Sequence, residues 1–108
     1  MPLSTLLTKQ EILAYLKQIK SCYESEGFII LGLFGSYARD EQNDQSDIDI
    51  LYELRPAFAS KYGFRAVAKI REIQWNLEKA LGKSVDLASR SGMGKVAQEY
   101  IIQRTIYV

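Results

Sequence analysis

The sequence FIILGLFGSYARDEQNDQSDIDILYEL, residues 28–54, joins two apolar segments through a small-residue turn and a polar loop. The first segment, residues 28–34, is short and almost continuously apolar, which predicts a buried β-strand. The second, residues 46–54, predicts another strand. Between them, residues 36–41 could form a short helix, and residues 42–46 predict a loop. These two strands and their connection form the frame on which the candidate site is built.

Two aspartates, Asp47 and Asp49, stand at the start of the second predicted strand. Because side chains alternate across a strand, both carboxylates are expected on one face, with Ile48 and Ile50 on the core face. Two like charges held so close repel each other, and a divalent cation would remove that conflict. An isolated Asp-x-Asp is more often a solvated strand end, so other features have to decide.

A third carboxylate, Asp86, lies inside the short apolar segment 83–89, which predicts a third strand. A charge in the middle of such a strand is uncommon. If the second and third strands are neighbours, Asp86 converges with Asp47 and Asp49. Three carboxylates supply enough oxygen for two metal ions about 3.5–4 Å apart, the arrangement used for in-line phosphoryl transfer. The chain has no histidine and a single cysteine, which favours Mg²⁺, Mn²⁺ or Ca²⁺ over zinc.

Gly35 and Ser36 directly follow the first predicted strand. Glycine lets the backbone approach a ligand closely. A helix beginning at Ser36 would present free N–H groups to an anion, and the serine hydroxyl would add a donor. Arg39, one helical turn later, could help neutralise a phosphate, or it could pair with Glu41 or Asp44. The sequence leaves both interpretations of this arginine open.

The rest of the chain predicts one domain, residues 1–108. Apolar residues make up 47% and charged residues 25%, as in ordinary globular proteins. The net charge of +1 provides no broad basic field that would favour nucleic acid. No segment has the length and apolarity of a membrane span, and the N-terminus lacks a signal-peptide pattern. We therefore expect a cytoplasmic protein with no direct nucleic-acid or membrane partner.

Helical spacing of apolar residues predicts three longer helices. The first begins at a capping box formed by Thr8 and Glu11 and ends at Gly27. The second runs from Phe64 to Leu81, with Gly82 as its C-terminal cap. The third lies around Val96 to Ile101. Residues 56–63 show no pattern that assigns them, and mobility is one interpretation. The order α-β-α-β-α-β-α predicts an α/β or α+β domain with a small sheet.

One tyrosine after the Gly-Ser turn and one group of large side chains near the C-terminus each allow more than one interpretation. Tyr37, just after the Gly-Ser turn, could stack on an adenine ring or could be exposed. Near the C-terminus, Tyr100, Ile106 and Tyr107 could form a surface for a partner or for self-association.

The stretch GLFGSYARDEQNDQSDIDILYEL, residues 32–54, resembles the signature of the polymerase-β-type nucleotidyltransferase superfamily, Gly-Ser followed by Asp-x-Asp. It is most similar to the minimal nucleotidyltransferase (MNT) proteins. LGKSVDLAS, residues 81–89, resembles their third-aspartate strand, and IIQRTIYV, residues 101–108, resembles their C-terminal helix and tail. The resemblance covers essentially the whole chain and implies a small mixed β-sheet flanked by helices.

The chain departs from the family pattern at Asp40, where the family usually has glycine. Aspartate tolerates left-handed backbone geometry better than most residues, so we expect the turn to persist. The substitution also adds a negative charge near the expected phosphates, which bears on nucleotide affinity.

The resemblance also implies an activity. Asp47 and Asp49 would bind two Mg²⁺ ions, and Asp86 would complete the site and help deprotonate or orient an attacking hydroxyl. Gly35 and Ser36 would hold the triphosphate of a nucleotide, with ATP as the expected substrate. Attack on the α-phosphate would transfer AMP and release pyrophosphate.

Minimal nucleotidyltransferases are commonly paired with HEPN proteins in toxin–antitoxin systems. The resemblance implies an antitoxin that adenylylates a tyrosine hydroxyl of a HEPN ribonuclease toxin, as a homo-oligomer or as a hetero-oligomer with the toxin. Two alternatives are a non-catalytic antitoxin that acts by binding alone, and a small-molecule nucleotidyltransferase of the aminoglycoside type. The absence of room for an acceptor domain disfavours the last.

Overall fold

The structure is a computed structural model, and it describes residues 7–108. Helices and strands alternate except for one pair of successive helices. Their bounds are α1 Lys9–Glu24, β1 Phe28–Phe34, α2 Gly35–Ala38, β2 Ile48–Leu54, α3 Pro56–Tyr62, α4 Ala66–Leu81, β3 Val85–Ser89, α5 Lys95–Arg104 and β4 Ile106–Tyr107. The sheet order is β3-β2-β1-β4, with β2 and β3 parallel and the other pairs antiparallel. The predicted small mixed sheet with flanking helices is confirmed.

The first helix begins with the predicted capping box. The Thr8 hydroxyl accepts a hydrogen bond from the Glu11 N–H at 3.1 Å, and the Thr8 N–H donates to Glu11 Oε1 at 2.9 Å. Two N–H groups that have no partner within the helix are thereby satisfied. Ile12 and Leu16 on the inner face of α1 are completely buried in the core.

The core lies between one face of the sheet and helices α1, α3 and α4. Ile48 and Ile50 of β2 join a single buried cluster with side chains from the helices, such as Ile73 and Leu77 of α4. Burying a side chain of this size stabilises the fold by roughly 1.5–3 kcal/mol. Because Ile48 and Ile50 face inwards, Asp49 between them is held on the opposite face of the sheet.

Residues 56–63, which the sequence did not assign, mostly form helix α3. Pro56 lies in its first turn, where a missing N–H breaks no hydrogen bond. Phe58 is fully buried, and its ring centroid lies 4.9 Å from that of Tyr62 and 6.1 Å from that of Phe28. A seven-residue helix is too short to show a periodic pattern, so this aromatic packing decides its conformation.

The predicted C-terminal tail instead contains strand β4, which pairs with Gly32 and Leu33 of β1. Gly32 makes this pairing possible, because a Cβ atom there would lie 2.2 Å from the Ile106 carbonyl oxygen. The pairing covers part of the outer edge of β1. A two-residue strand carries no recognisable sequence pattern, and only its partner defines it.

Other boundaries differ slightly from the prediction. Strand β2 begins at Ile48, so Asp47 lies just before the strand instead of within it. Helix α4 begins at Ala66, after a 3₁₀ turn over Gly63–Arg65. The predicted cap Gly82 is confirmed, with a left-handed φ of 72°.

The longest helices in the described part of the chain are α1 and α4, with 16 residues each. No helix within residues 7–108 combines the length and the apolar character required to cross a bilayer.

The turn after α2 contains Asp40 in the left-handed conformation, with a φ of 59°. The turn therefore persists without glycine, as predicted. The Asp40 carboxylate also accepts a hydrogen bond from Lys9 Nζ at 2.9 Å. This ion pair offsets the additional negative charge and ties the turn to the start of α1.

Asp40→Ala should lower the free energy of unfolding by about 1–2 kcal/mol, because alanine is strained in the left-handed region and cannot bind Lys9. Asp40→Gly should lower the free energy of unfolding by about 1 kcal/mol less than Asp40→Ala does, since glycine adopts this conformation freely. Urea denaturation measures both. Lys9→Ala isolates the exposed ion pair and should cost less than about 1 kcal/mol. Equal stability of the alanine and glycine variants would contradict the assigned backbone strain.

Candidate active site

Asp49 and Asp86 are direct neighbours across the parallel strands β2 and β3. Neighbouring strands lie about 4.8 Å apart, and aligned residues direct their side chains to the same face. That face is opposite the core that contains Ile48, Ile50 and Val85. The structure thus brings together two of the three predicted carboxylates by backbone register alone.

Asp47 is exposed and lies two residues before Asp49, which is half-buried. Burial first, and then the nearby negative charges of Asp86 and Asp47, raise the pKa of the Asp49 carboxyl to about 6, while the charge of Arg39 opposes the shift. The charges of these three neighbours therefore all act on the Asp49 carboxylate. In the absence of a cation, Asp49 therefore keeps its proton up to a higher pH than an ordinary aspartate does.

The Gly35 turn contacts the Asp49 carboxylate directly. Gly35 has a left-handed φ of 78°, and a Cβ atom there would lie 2.0 Å from Asp49 Oδ2. The residue opposite Asp49 in the antiparallel ladder is Phe34, so the end of β1 delivers the turn to the carboxylate. Glycine is required at position 35 for both its backbone conformation and the space it leaves.

Helix α2, which follows this turn, has only four residues and begins at Gly35 instead of Ser36. A helix this short has little macrodipole, so anion binding here would depend on local donors. Its N-cap residue, Phe34, provides no side-chain cap to the first N–H groups. Those N–H groups and the half-buried Ser36 hydroxyl are the donors that the turn offers.

Arg39 is the C-cap residue of α2, and its Nε donates a hydrogen bond to Glu41 Oε1 at 2.9 Å. This hydrogen bond is the main cause of a raised Arg39 pKa, and the charge of Asp49 contributes as well. The structure therefore contains the predicted salt bridge to Glu41. It also places the guanidinium charge close enough to act on Asp49, so the two interpretations of Arg39 are compatible.

Oxygen ligands dominate this face of the sheet, which suits Mg²⁺. Within residues 7–108, no group of three or more histidine, cysteine or acidic side chains is arranged to hold a metal ion. Mg²⁺ is commonly bound by only one or two carboxylates together with water and the phosphates of a substrate. The alignment of Asp49 with Asp86 is the observation that fits a cation, because a cation between the carboxylates would relieve both the burial of one negative charge and its repulsion by the other.

Tyr37 does not belong to the site, because its side chain is completely buried in the core. The exposed aromatic residue near Gly35 is instead Tyr100 of α5, which lines a cavity together with Gly35 and Arg39. Sequence reasoning placed Tyr100 on a possible partner surface. No local signal connects it to a turn 65 positions earlier, so only the fold could reveal the proximity.

A turn with free N–H groups beside adjacent carboxylates on a small mixed sheet indicates the class of protein, an enzyme that transfers a nucleotide group. Free N–H groups suit an anion and neighbouring carboxylates suit a cation, and transfer of a nucleotide group requires both kinds of partner.

Comparison with known proteins agrees with this class. Residues 11–108 match the family model described as "Nucleotidyltransferase domain". A protein adenylyltransferase MntA of Thermococcus cleftensis is 31% identical over 95% of this chain and 98% of its own. A relative from Methanocaldococcus jannaschii, with the provisional name protein adenylyltransferase MJ1379, is 34% identical over 98% of this chain and 100% of its own. The chain belongs to the nucleotidyltransferase family, as its resemblance implied.

Solved structures share the fold. One, provisionally described as a minimal nucleotidyltransferase, superposes with a TM-score of 0.77 at 24% identity, over 97% of this chain and 100% of that chain. Another is a toxin–antitoxin crystal structure with AMP-PNP, with a TM-score of 0.57 at 21% identity, over 94% of this chain and 72% of that chain. The predicted minimal nucleotidyltransferase fold is confirmed.

Asp49→Asn should stabilise the protein at pH 8 in the absence of divalent cations, by the order of 1 kcal/mol after allowance for solvent screening. The folded-state pKa of about 6 lies above the ordinary value of 3.8, so the folded protein binds the Asp49 proton more tightly. Wild-type stability from this group therefore rises as pH falls from about 6 towards 4, and the advantage of the asparagine variant should disappear there.

Thermal melts across pH 4–8 measure the stability difference between the wild-type protein and the asparagine variant. Asp44→Asn, at an exposed loop aspartate, is the control and should show no such gain. An advantage that grows towards pH 4 would contradict the prediction.

Gly35→Ala should reduce nucleotide transfer by at least about 100-fold, because the new methyl group would displace the Asp49 carboxylate. Gly82→Ala is the matched control: its φ of 72° imposes similar backbone strain, but nothing lies within 4 Å of the added methyl group. Both variants should lose about 1 kcal/mol of stability, and only Gly35→Ala should lose activity. Equal activity of the two variants would show that contact with Asp49 is unimportant.

Proposed function

We propose that the protein is a Mg²⁺-dependent protein adenylyltransferase that transfers AMP from ATP to a tyrosine hydroxyl of a HEPN toxin and so acts as its antitoxin. The observation that carries the proposal is the alignment of Asp49 with Asp86 beside the Gly35 turn. The name of the Thermococcus relative supports protein as the acceptor. The toxin–antitoxin structure with AMP-PNP supports a toxin partner and an adenine nucleotide.

In this proposal, the turn binds the triphosphate. The backbone N–H groups at Gly35 and Ser36, and the Ser36 hydroxyl, donate hydrogen bonds to phosphate oxygens. The Arg39 guanidinium adds positive charge to the same region while it keeps its hydrogen bond to Glu41. Lys9 neutralises Asp40, so the unusual aspartate in this turn repels the phosphates less than its charge alone would suggest.

Asp47, Asp49 and Asp86 would hold the two Mg²⁺ ions, with phosphate oxygens and water completing the coordination. Bound Mg²⁺ would neutralise charge on the attacking and leaving oxygens. The protein's own contribution is a fixed geometry: Ile48 and Ile50 anchor β2, and the parallel register with β3 fixes Asp86 beside Asp49.

Transfer would proceed by in-line displacement at the α-phosphorus. The acceptor oxygen forms a bond to that phosphorus, the bond from phosphorus to the oxygen bridging the α- and β-phosphates breaks, and pyrophosphate leaves. The acceptor loses its hydroxyl proton, and Asp86 is the group proposed to orient the hydroxyl or take the proton. Asp49 lies between Asp86 on one side and the Gly35 turn on the other, so an acceptor near Asp86 and a triphosphate near Gly35 would face each other.

The acceptor side of the site is open, since Asp86 is exposed. An open acceptor side suits an acceptor that is carried by a separate protein. The HEPN identity of that protein and the target tyrosine are proposed from the family resemblance, and the cytoplasmic location is proposed from the sequence pattern.

The test is label transfer from ATP carrying ³²P at its α-phosphate, in the presence of Mg²⁺, to the product of the neighbouring gene. The wild-type protein should label that product, and Asp47→Asn and Asp86→Asn should each reduce the rate at least about 100-fold. Asp44→Asn is the control, because it removes an exposed carboxylate three positions before Asp47 without touching the site.

Co-expression with the toxin distinguishes the alternatives. If the Asp86→Asn variant still protects cells although it transfers no label, the protein acts by binding alone. Label found on an aminoglycoside but not on the partner would instead support small-molecule transfer. A wild-type protein that binds Mg²⁺–ATP but labels neither acceptor would overturn the proposal.

A further inference from the structure

A cavity of about 630 Å³ lies between helix α5 and the end of strand β1. Phe34, Gly35 and Arg39 line one wall, and α5 contributes the other through Val96, Tyr100 and neighbouring side chains. The volume falls within the range of roughly 300–1,000 Å³ that is typical of small-molecule sites. The cavity is directly continuous with the proposed phosphate-binding turn, because Gly35 belongs to both.

The α5 wall is apolar and open. No residue of α5 is buried, and Val96 and Tyr100 are 84% and 56% exposed. The guanidinium carbon of Arg104 lies 3.9 Å from the centroid of the Tyr100 ring. A stacked arginine and tyrosine form a flat, polarisable platform that suits a second planar group. Apolar side chains in a concave wall would gain from a ligand that removes them from water.

The position of the cavity indicates which part of the reactants it would take. Asp86, Asp49 and the Gly35 turn follow one another across the sheet. In the in-line reaction proposed above, the acceptor would lie on the Asp86 side, and the leaving pyrophosphate would lie on the Gly35 side together with the rest of the nucleotide. The cavity is lined by Gly35 and Arg39, but neither Asp49 nor Asp86 lines it. It is therefore continuous with the nucleotide half of the site and separate from the acceptor half.

The geometry points to this cavity as the binding site of the nucleobase, with the base stacked on the platform formed by Tyr100 and Arg104. This inference rests on the proposed function, since it concerns the nucleotide used by the same site. The base is the planar and least polar part of a nucleotide, and stacking on an aromatic side chain is a common way to hold it. The helix that follows β3 would thereby act as a positioning element for ATP.

The test compares two ligands that share phosphates but differ in the base. Binding of Mg²⁺–ATP and of Mg²⁺–triphosphate to the full chain is measured by calorimetry. Tyr100→Ala should weaken ATP binding about 5- to 100-fold, the usual effect of removing one stacking aromatic group. The affinity for inorganic triphosphate should stay within about twofold of wild type, because the turn at Gly35 is unchanged. Tyr100→Phe keeps the ring and should restore most of the ATP affinity.

Trp75→Ala is the matched control. Trp75 is also an exposed aromatic residue on a helix, 57% accessible, with Lys79 Nζ 4.3 Å from its ring centroid. It lies on α4 and does not line the cavity, so its removal should leave both affinities unchanged. Thermal melts of all variants verify that each is folded.

Two outcomes would overturn the inference while leaving the proposed function intact. The first is unchanged ATP affinity in Tyr100→Ala; if this variant also binds the toxin partner more weakly, the cavity belongs to the partner. The second is an equal loss of affinity for ATP and for triphosphate, which would show a general effect on the turn. Failure of the folded wild-type protein to bind ATP would overturn the proposed function and this inference together.

Discussion

The contact between the Gly35 turn and the Asp49 carboxylate is the constraint on which the rest of the site depends. Strand β1 runs antiparallel to β2, so the end of one strand meets the start of the other. The missing side chain at Gly35 lets the backbone of the turn lie close to the Asp49 carboxylate. The proposed phosphate-binding turn and the proposed cation-binding carboxylate therefore meet where the end of β1 lies beside the start of β2, and a larger residue at position 35 would separate them.

The site is held at some cost to the stability of the fold. Asp49 is half-buried and close to other negative charges, and its pKa is raised to about 6 as a result. Such an arrangement is unfavourable without a bound cation or proton. The buried isoleucines on either side of Asp49 offset that cost, because they keep β2 in the sheet whatever the charge on its other face. The same alternation that places Ile48 and Ile50 in the core thus makes the carboxylate geometry rigid.

The two halves of the site are built differently. On the side of β3, Asp86 is open to solvent, which leaves room for a large acceptor. On the side of β1, helix α5 lines one wall of an open cavity next to the turn. Strand β4 ties the chain after α5 to Gly32 and Leu33 of β1, so the short C-terminal pairing fixes where α5 stands relative to Gly35. In this way the last residues of the chain shape the proposed nucleotide side.

The sequence by itself determined the elements whose causes are local. Thr8 and Glu11 specify the capping box, residues 28–34 the buried strand, and Gly82 the end of α4. The Gly-Ser and Asp-x-Asp spacing also sufficed to identify the family and to nominate the site residues, because the chemistry of phosphate and metal binding restricts which residue types occur together.

Only the tertiary structure decided the features whose causes are distant in sequence. Helix α3 depends on the packing of Phe58 against the Phe28 ring of β1, and β4 depends on the space left at Gly32. The burial of Tyr37 and the exposure of Tyr100 beside Gly35 were likewise invisible to local patterns. Propensity and periodicity report on neighbours along the chain, whereas register and side-chain contact depend on which surfaces meet when the chain folds.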